Sequence, residues 1–297
     1  MSGPSMTREV RFDRAPDLRR IYASALVSGG RATSGPLPEV RAVRRGVRVD
    51  LDTLADYARV CGFPVGSALP LTYPHVLAFP LQMALMSERD FPLGLAGAVH
   101  LANVITSTRP IAVEESFDLT VRAENLRPHR RGRQVDLVSE VSVQGEVVWT
   151  GVSTYLSKES DTGTRDEGAA GDASEPPSLD GLASVEAGPT WRLTEGVGRR
   201  YARVSGDWNP IHLHALTARP LGFSTAIAHG MYSYARVVAA LGPRIPTAGV
   251  TSRVWFRKPL RLPSTVRLRT AFETNRALSL VHSANGDHVH LIVEHSW

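Results

Sequence analysis

Apolar positions in the second half of the chain fall into two kinds of run. Met231-Tyr-Ser-Tyr-Ala-Arg-Val-Val-Ala-Ala-Leu241 is apolar on nearly every side, and Gly242-Pro243 ends it. A helix without a polar face has to be buried all round, and glycine followed by proline is a helix stop. Strand-like runs follow at Val250–Phe256, Thr265–Phe272, Leu278–His282 and His288–His295. In the last of these, Val289, Leu291 and Val293 form the apolar face, which turns His288 and His290 outward. The first half repeats the succession. An apolar helical run, Leu77–Met86 with Pro80 near its start, precedes strand patterns at Val99–Ser107, Ser116–Ala123, Gln134–Val143 and Val147–Leu156. The pattern predicts, twice over, long strands around one buried helix. It does not by itself fix how the strands connect.

The two halves also resemble each other residue by residue. Tyr57-Ala-Arg-Val-Cys-Gly-Phe63 matches Tyr201-Ala-Arg-Val-Ser-Gly-Asp207 at five of seven positions. Tyr73-Pro-His-Val76 stands where Ile227-Ala-His-Gly230 stands later, and Thr108-Arg-Pro-Ile111 echoes Arg257-Lys-Pro-Leu260. The three matches keep their order at offsets of 144, 154 and 149 residues. A period near half the chain implies duplication of one unit and a pseudo-dimer. Between the copies, residues 159–180 have no aromatics and a single large aliphatic side chain, with abundant Gly, Ser, Pro and acid. Such a stretch buries too little apolar surface to offset its ordering entropy. The expected organisation is therefore an N-terminal unit 1–158, an acidic linker 159–180 and a C-terminal unit 181–297.

Composition narrows the function. A chain of 297 residues with 42% hydrophobic content has room for two cores, and no stretch approaches the length of a membrane span. The first ten residues lack the apolar stretch of a secretory signal. A single cysteine, Cys61, excludes an intramolecular disulfide and a cysteine-rich zinc site. These features point to a cytoplasmic protein. The net charge of +5 conceals a division: the linker carries −6, so the rest of the chain carries +11. Arg127-Pro-His-Arg-Arg-Gly-Arg133 is the densest basic run, and Arg253, Arg257 and Lys258 form a second group. A run of this kind is ordinarily a solvated loop or sheet edge, or else it attracts an anionic partner. Nucleic acid is not expected, because no recognition motif accompanies the charge.

The candidate chemistry lies in Tyr201-Ala-Arg-Val-Ser-Gly-Asp-Trp-Asn-Pro-Ile-His212. It sets a carboxylate, Asp207, five residues before an imidazole, His212. Asn209-Pro210 between them is a turn signal that restricts the backbone on both sides. Two proton-transfer groups on a stiff turn can converge on one small molecule, as general acid–base chemistry requires. The first copy has Phe63 where the second has Asp207, no Asn-Pro-x-x-His, and Val76 where the second has Gly230. One active site per chain is expected, built by the second copy. His214 stands two residues after His212, and His290 two after His288; neither pair is read as a metal site, and no cofactor is expected. His75, His100 and His229 sit beside apolar stretches, as structural histidines do, and Trp208 is either a lid over the site or, as expected, a core residue.

With the downstream Gly222-Phe-Ser-Thr-Ala-Ile-Ala-His-Gly-Met231, this motif resembles the signature of the MaoC-like hydratases, (R)-specific enoyl-thioester hydratases of the hot-dog fold. The resemblance implies an α+β double hot dog, two antiparallel sheets each wrapped around a central helix. It implies a trans-2-enoyl thioester substrate on CoA or an acyl-carrier protein, hydrated to the (3R)-hydroxy product. Carried over, Asp207 and His212 hold the water, one as base and one as acid, and Asn209 orients them. The Gly230 N–H stabilises the enolate oxygen. Ser205 either hydrogen-bonds at the site or serves only the turn, and His229 packs near the thioester. Arg257 and Lys258 suit the phosphates of the carrier. In the first copy Phe63, Phe79 and Met83, with Leu81, Leu85 and Met86, are available to line an acyl channel. A thioester hydrolase and a non-catalytic acyl-thioester-binding subunit are the alternatives. Either a monomer or a homodimer is compatible with the pseudo-dimer.

Overall fold

The computed structural model describes residues 7–27, 35–95, 97–158, 175–179, 182, 185 and 188–297. Most of the expected linker lies outside the described residues. In chain order the first half gives β1 (Arg8–Arg11), α1 (Leu18–Val27), β2 (Val40–Val47), α2 (Leu51–Cys61), α3 (Tyr73–Met86), β3 (Val99–Ser107), β4 (Phe117–His129), β5 (Gly132–Val143) and β6 (Glu146–Lys158). The second half gives β7 (Thr190–Leu193), α4 (Val197–Ser205), a 3₁₀ turn at Pro210–His212, α5 (Ala215–Ala218), α6 (Gly230–Leu241), β8 (Val250–Phe256), β9 (Ser264–Glu273), β10 (Arg276–Ser283) and β11 (Val289–Ser296).

All eleven strands join one sheet in the order β1-β2-β4-β5-β6-β3-β8-β11-β10-β9-β7. From the centre outward, β3-β6-β5-β4-β2 on one side mirrors β8-β11-β10-β9-β7 on the other. The seam is the antiparallel pair β3–β8, in register from Ala102↔Trp255 to Ser107↔Val250. Antiparallel pairing of equivalent strands is what a two-fold relation between the copies requires. The buried helices α3 and α6 contribute to one continuous apolar core that takes residues from both halves. The arrangement is a double hot dog of the α+β class.

Local sequence explains the elements and their departures from expectation. α3 begins at Tyr73, four residues before the expected Leu77, with Pro74 in its first turn. Proline is tolerated there because first-turn N–H groups have no helical acceptor. β4 continues past Ala123 to His129 across an irregularity between Glu124 and Arg127, where Asn125 has φ 54°. That bulge breaks the alternation on which the shorter expected strand was based. The repeated Tyr-Ala-Arg-Val-x-Gly segments lie on α2 and α4, and in each the glycine is the left-handed C-cap, Gly62 at φ 84° and Gly206 at φ 74°. The conformation favours glycine because a Cβ is strained there. Tyr57 and Tyr201 are both buried, with ring centroids 6.2 Å apart, so their packing is shared across the two copies.

One expectation is corrected. β11 is buried on both faces from His290 to Val293, and His290 is only 7% exposed; of the two histidines only His288 is exposed. A strand in the middle of a covered sheet does not follow simple alternation. At the end of the expected linker, Leu179 packs against a small outer cluster of Ala102, Leu182, Trp255, Leu278 and Ile292. Its carbonyl accepts from the Leu182 N–H at 2.9 Å. Leu179 thus contacts the sheet. Among the described residues, no helix is long and apolar enough to cross a membrane.

Candidate active site

α4 and the turn after it build the site. The Ser205 hydroxyl donates to the Tyr201 carbonyl at 2.9 Å and accepts from the Asp207 N–H at 3.2 Å. Both hydrogen bonds serve the turn, and Ser205 also lines the cavity beside Asp207. Asp207 Oδ1 accepts the Asn209 N–H at 3.2 Å, and Asn209 Oδ1 accepts the Ile211 N–H at 3.3 Å. Asn209 thus meets Asp207 through its backbone N–H and caps with its side chain the 3₁₀ turn that carries His212. The turn rests on α4 at Gly198, where a Cβ would lie 1.9 Å from the His212 carbonyl oxygen. Only glycine allows that approach. Sequence reasoning missed Gly198, although its position one helical turn before Tyr201 was available as a signal.

The imidazoles are held in defined tautomers. His212 Nδ1 donates to the Ile227 carbonyl at 2.8 Å, which leaves Nε2 as the proton acceptor. His229 Nε2 donates to the Asp207 carbonyl at 3.0 Å and lies 3.7 Å from Asp207 Oδ2. The two rings stack with centroids 3.7 Å apart. Burial lowers the His212 pKa, opposed by nearby Asp207 and the Ile227 hydrogen bond. Burial, then the neighbouring His212, pushes His229 down to about 3. Both rings are neutral at physiological pH. Donor atoms of Asp207, His212 and His229 lie within 4.8 Å of one another, close enough to address one water molecule. His214 is elsewhere: its side chain is exposed and caps α5 by accepting the Leu216 N–H.

Gly230 opens α6, and a Cβ there would meet Phe256 Cε1 at 2.8 Å. Glycine thus fits the ring against the helix N-terminus, where first-turn amides lack helical acceptors and the helix dipole favours negative charge. These groups line a cavity of about 230 Å³ that runs from Asp207, His212 and Gly230 along α3 past Phe79, Met83 and Met86. Arg257 and Lys258 line it as well and are exposed. Of the residues expected to hold the acyl chain, Phe63 is absent from the lining and stacks instead on Tyr57 at 6.1 Å. α2 ends at Gly62, and its cap turns the next side chain onto the helix. Leu81 and Leu85 belong to the core. Trp208 is half-buried, with the Arg19 guanidinium carbon 4.8 Å above its ring, and is not a core residue.

Several lining residues were not read from the sequence as site residues. Tyr22 of α1 donates its hydroxyl to Asp207 Oδ1 at 2.9 Å from 185 positions away. His75, His100 and His290 also face the cavity, as do Tyr155 and Tyr201.

Comparison with known proteins agrees with this architecture. Residues 183–290 match the MaoC like domain. The 3-hydroxyacyl-thioester dehydratase X of Mycobacterium tuberculosis is 42% identical over 250 residues, covering 81% of this chain and 86% of that protein. Its crystal structure superposes with a TM-score of 0.73, covering 86% of this chain and 98% of that one. An (R)-specific enoyl-CoA hydratase of Rhodospirillum rubrum is 39% identical over 69 residues, 22% of this chain and 48% of that protein. A conserved hypothetical protein of M. tuberculosis with a double hotdog fold has a TM-score of 0.50 at 14% identity, covering 86% of this chain and 94% of that one. The chain belongs to the MaoC-like family of hydratases and dehydratases, hydro-lyases built on the hot-dog fold.

Proposed function

We propose that this protein catalyses reversible hydration of trans-2-enoyl thioesters to (3R)-hydroxyacyl thioesters. The observation that carries the proposal is the placement of His212: its Nδ1 is committed to the Ile227 carbonyl, and its Nε2 shares one cavity with Asp207 and the N-terminus of α6. In this mechanism Asp207 orients the water by accepting one of its protons in a hydrogen bond. His212 Nε2 takes the other proton as the water oxygen bonds to C3. The resulting imidazolium is supported by the Asp207 carboxylate and returns its proton to C2. Charge on the thioester oxygen is met by the Gly230 N–H, a preorganised donor. Dehydration follows the same steps in reverse.

The acyl chain is assigned to the apolar part of the cavity under α3, against Val76, Phe79, Met83 and Met86. Arg257 and Lys258 at the exposed end suit the phosphates of CoA or an acyl-carrier protein's phosphopantetheine. The test is incubation of the purified chain with crotonyl-CoA and trans-2-octenoyl-CoA. Loss of the enoyl absorbance, without release of free thiol, and a product untouched by a (3S)-specific dehydrogenase are the expected results. Thiol release would identify a hydrolase, and no reaction would leave a binding subunit.

A further inference from the structure

We infer that Tyr22, carried by the N-terminal helix of the first half, is a positioning residue for Asp207. It holds Oδ1 in place and leaves Oδ2 to face the reacting water. This rests on the proposed hydration chemistry, in which Asp207 orients the water.

α1 lies against three consecutive residues of the catalytic turn. Leu18, buried in the core, approaches Gly206 so closely that a Cβ there would sit 3.0 Å from Leu18 Cδ1. Arg19 covers the Trp208 ring at 4.8 Å. Tyr22, one helical turn after Leu18, reaches Asp207 Oδ1 at 2.9 Å. The helix start is itself fixed, since Asp17 Oδ1 accepts the Arg19 N–H at 3.0 Å and the Arg20 N–H at 3.4 Å. The hydroxyl is therefore delivered by an anchored element.

The two carboxylate oxygens have different surroundings. Oδ1 accepts the Tyr22 hydroxyl and the Asn209 N–H. Oδ2 lies on the side of the imidazoles, 3.7 Å from His229 Nε2. Burial, then the charge of Asp207, keeps the Tyr22 hydroxyl protonated, so it acts only as donor toward the carboxylate. A carboxylate with one oxygen held by two donors does not rotate freely about its terminal bond, and the oxygen that meets the water is thereby fixed. The duplication gives this arrangement a division of labour: the copy without the dyad supplies the group that orients it.

Tyr22→Phe removes only the hydroxyl. On a short and a medium-chain enoyl-CoA its kcat should fall about tenfold, equivalent to about 1.4 kcal/mol, with KM changed less than twofold. In the Asp207→Asn background the same substitution should alter the residual rate less than twofold, because the effect acts through Asp207. A crystal structure of Tyr22→Phe should show the Asp207 carboxylate turned from its wild-type plane. An unchanged kcat, or a fall in kcat matched by a general loss of thermal stability, would overturn the inference. An unturned carboxylate would overturn it whether or not the wild type hydrates enoyl thioesters, whereas failure of the wild type alone would remove the proposed reaction.

Discussion

Gly198→Ala tests the site's construction without touching a group that meets substrate. The added Cβ would lie 1.9 Å from the His212 carbonyl oxygen and 2.9 Å from its carbon. Carbon and oxygen in ordinary contact stand well beyond 3 Å, so the turn must withdraw from α4 by about 1 Å or more. His212 moves with it, because the clashing carbonyl is its own. A displacement of about 1 Å in a catalytic group costs on the order of 100-fold in rate. Overpacking costs about 2 kcal/mol and lowers the melting temperature by about 5 °C in a protein of this size, partly offset by the better helix propensity of alanine. Initial rates on trans-2-octenoyl-CoA and a thermal melt read both effects. Gly66→Ala is the control, since nothing lies within 4 Å of its Cβ position. A Gly198→Ala enzyme with wild-type kcat and an unchanged melting temperature would refute the close packing of the turn on α4.

Met83→Trp should reduce kcat/KM on a ten-carbon enoyl-CoA at least tenfold while sparing crotonyl-CoA, since each buried methylene contributes about 0.8 kcal/mol and Met83 lines the cavity under α3. Equal losses on both substrates would indicate a packing defect. Stability should fall as pH drops from 6.5 toward 4. Burial pushes His75 and His295 down to about 4, and His100 and His229 to about 3. The unfolded chain binds these protons first, so stability is full above pH 6.5 and is lost below it. His295 is buried away from the cavity; His295→Phe should weaken the difference in unfolding free energy between pH 7 and pH 5 by about 2 kcal/mol. Urea titrations at the two pH values measure it, and identical slopes for variant and wild type would count against a neutral buried His295.

The sheet and its central helices were legible because their signals are local. β3 and β8 match the expected runs end to end, and α6 begins one residue before the expected run and ends with it. The paired helices α2 and α4 were visible only as a repeated motif, whose glycines proved to be helix caps. The turn from Ser205 to His212 announced its carboxylate and imidazole, since stiffness and spacing lie within one short segment. What could not be read depended on tertiary approach. Tyr22 and His75 meet the site through the fold of the other copy, and Phe63, matched to Asp207 by the repeat, is turned onto Tyr57. His290 was misjudged because alternation assigns one face to solvent, whereas β11 is covered on both.

The central claim is that Asp207 and His212 act together on one water molecule. Asp207→Asn tests it most directly, because the substitution keeps the size of the side chain and removes its charge. The measurement is single-substrate kinetics on trans-2-octenoyl-CoA, with the fold verified by circular dichroism. Loss of a positioned acid–base group costs on the order of 10²- to 10⁴-fold, and the account predicts a fall in kcat within that range while the spectrum stays unchanged. A variant that keeps most of the wild-type rate would contradict it.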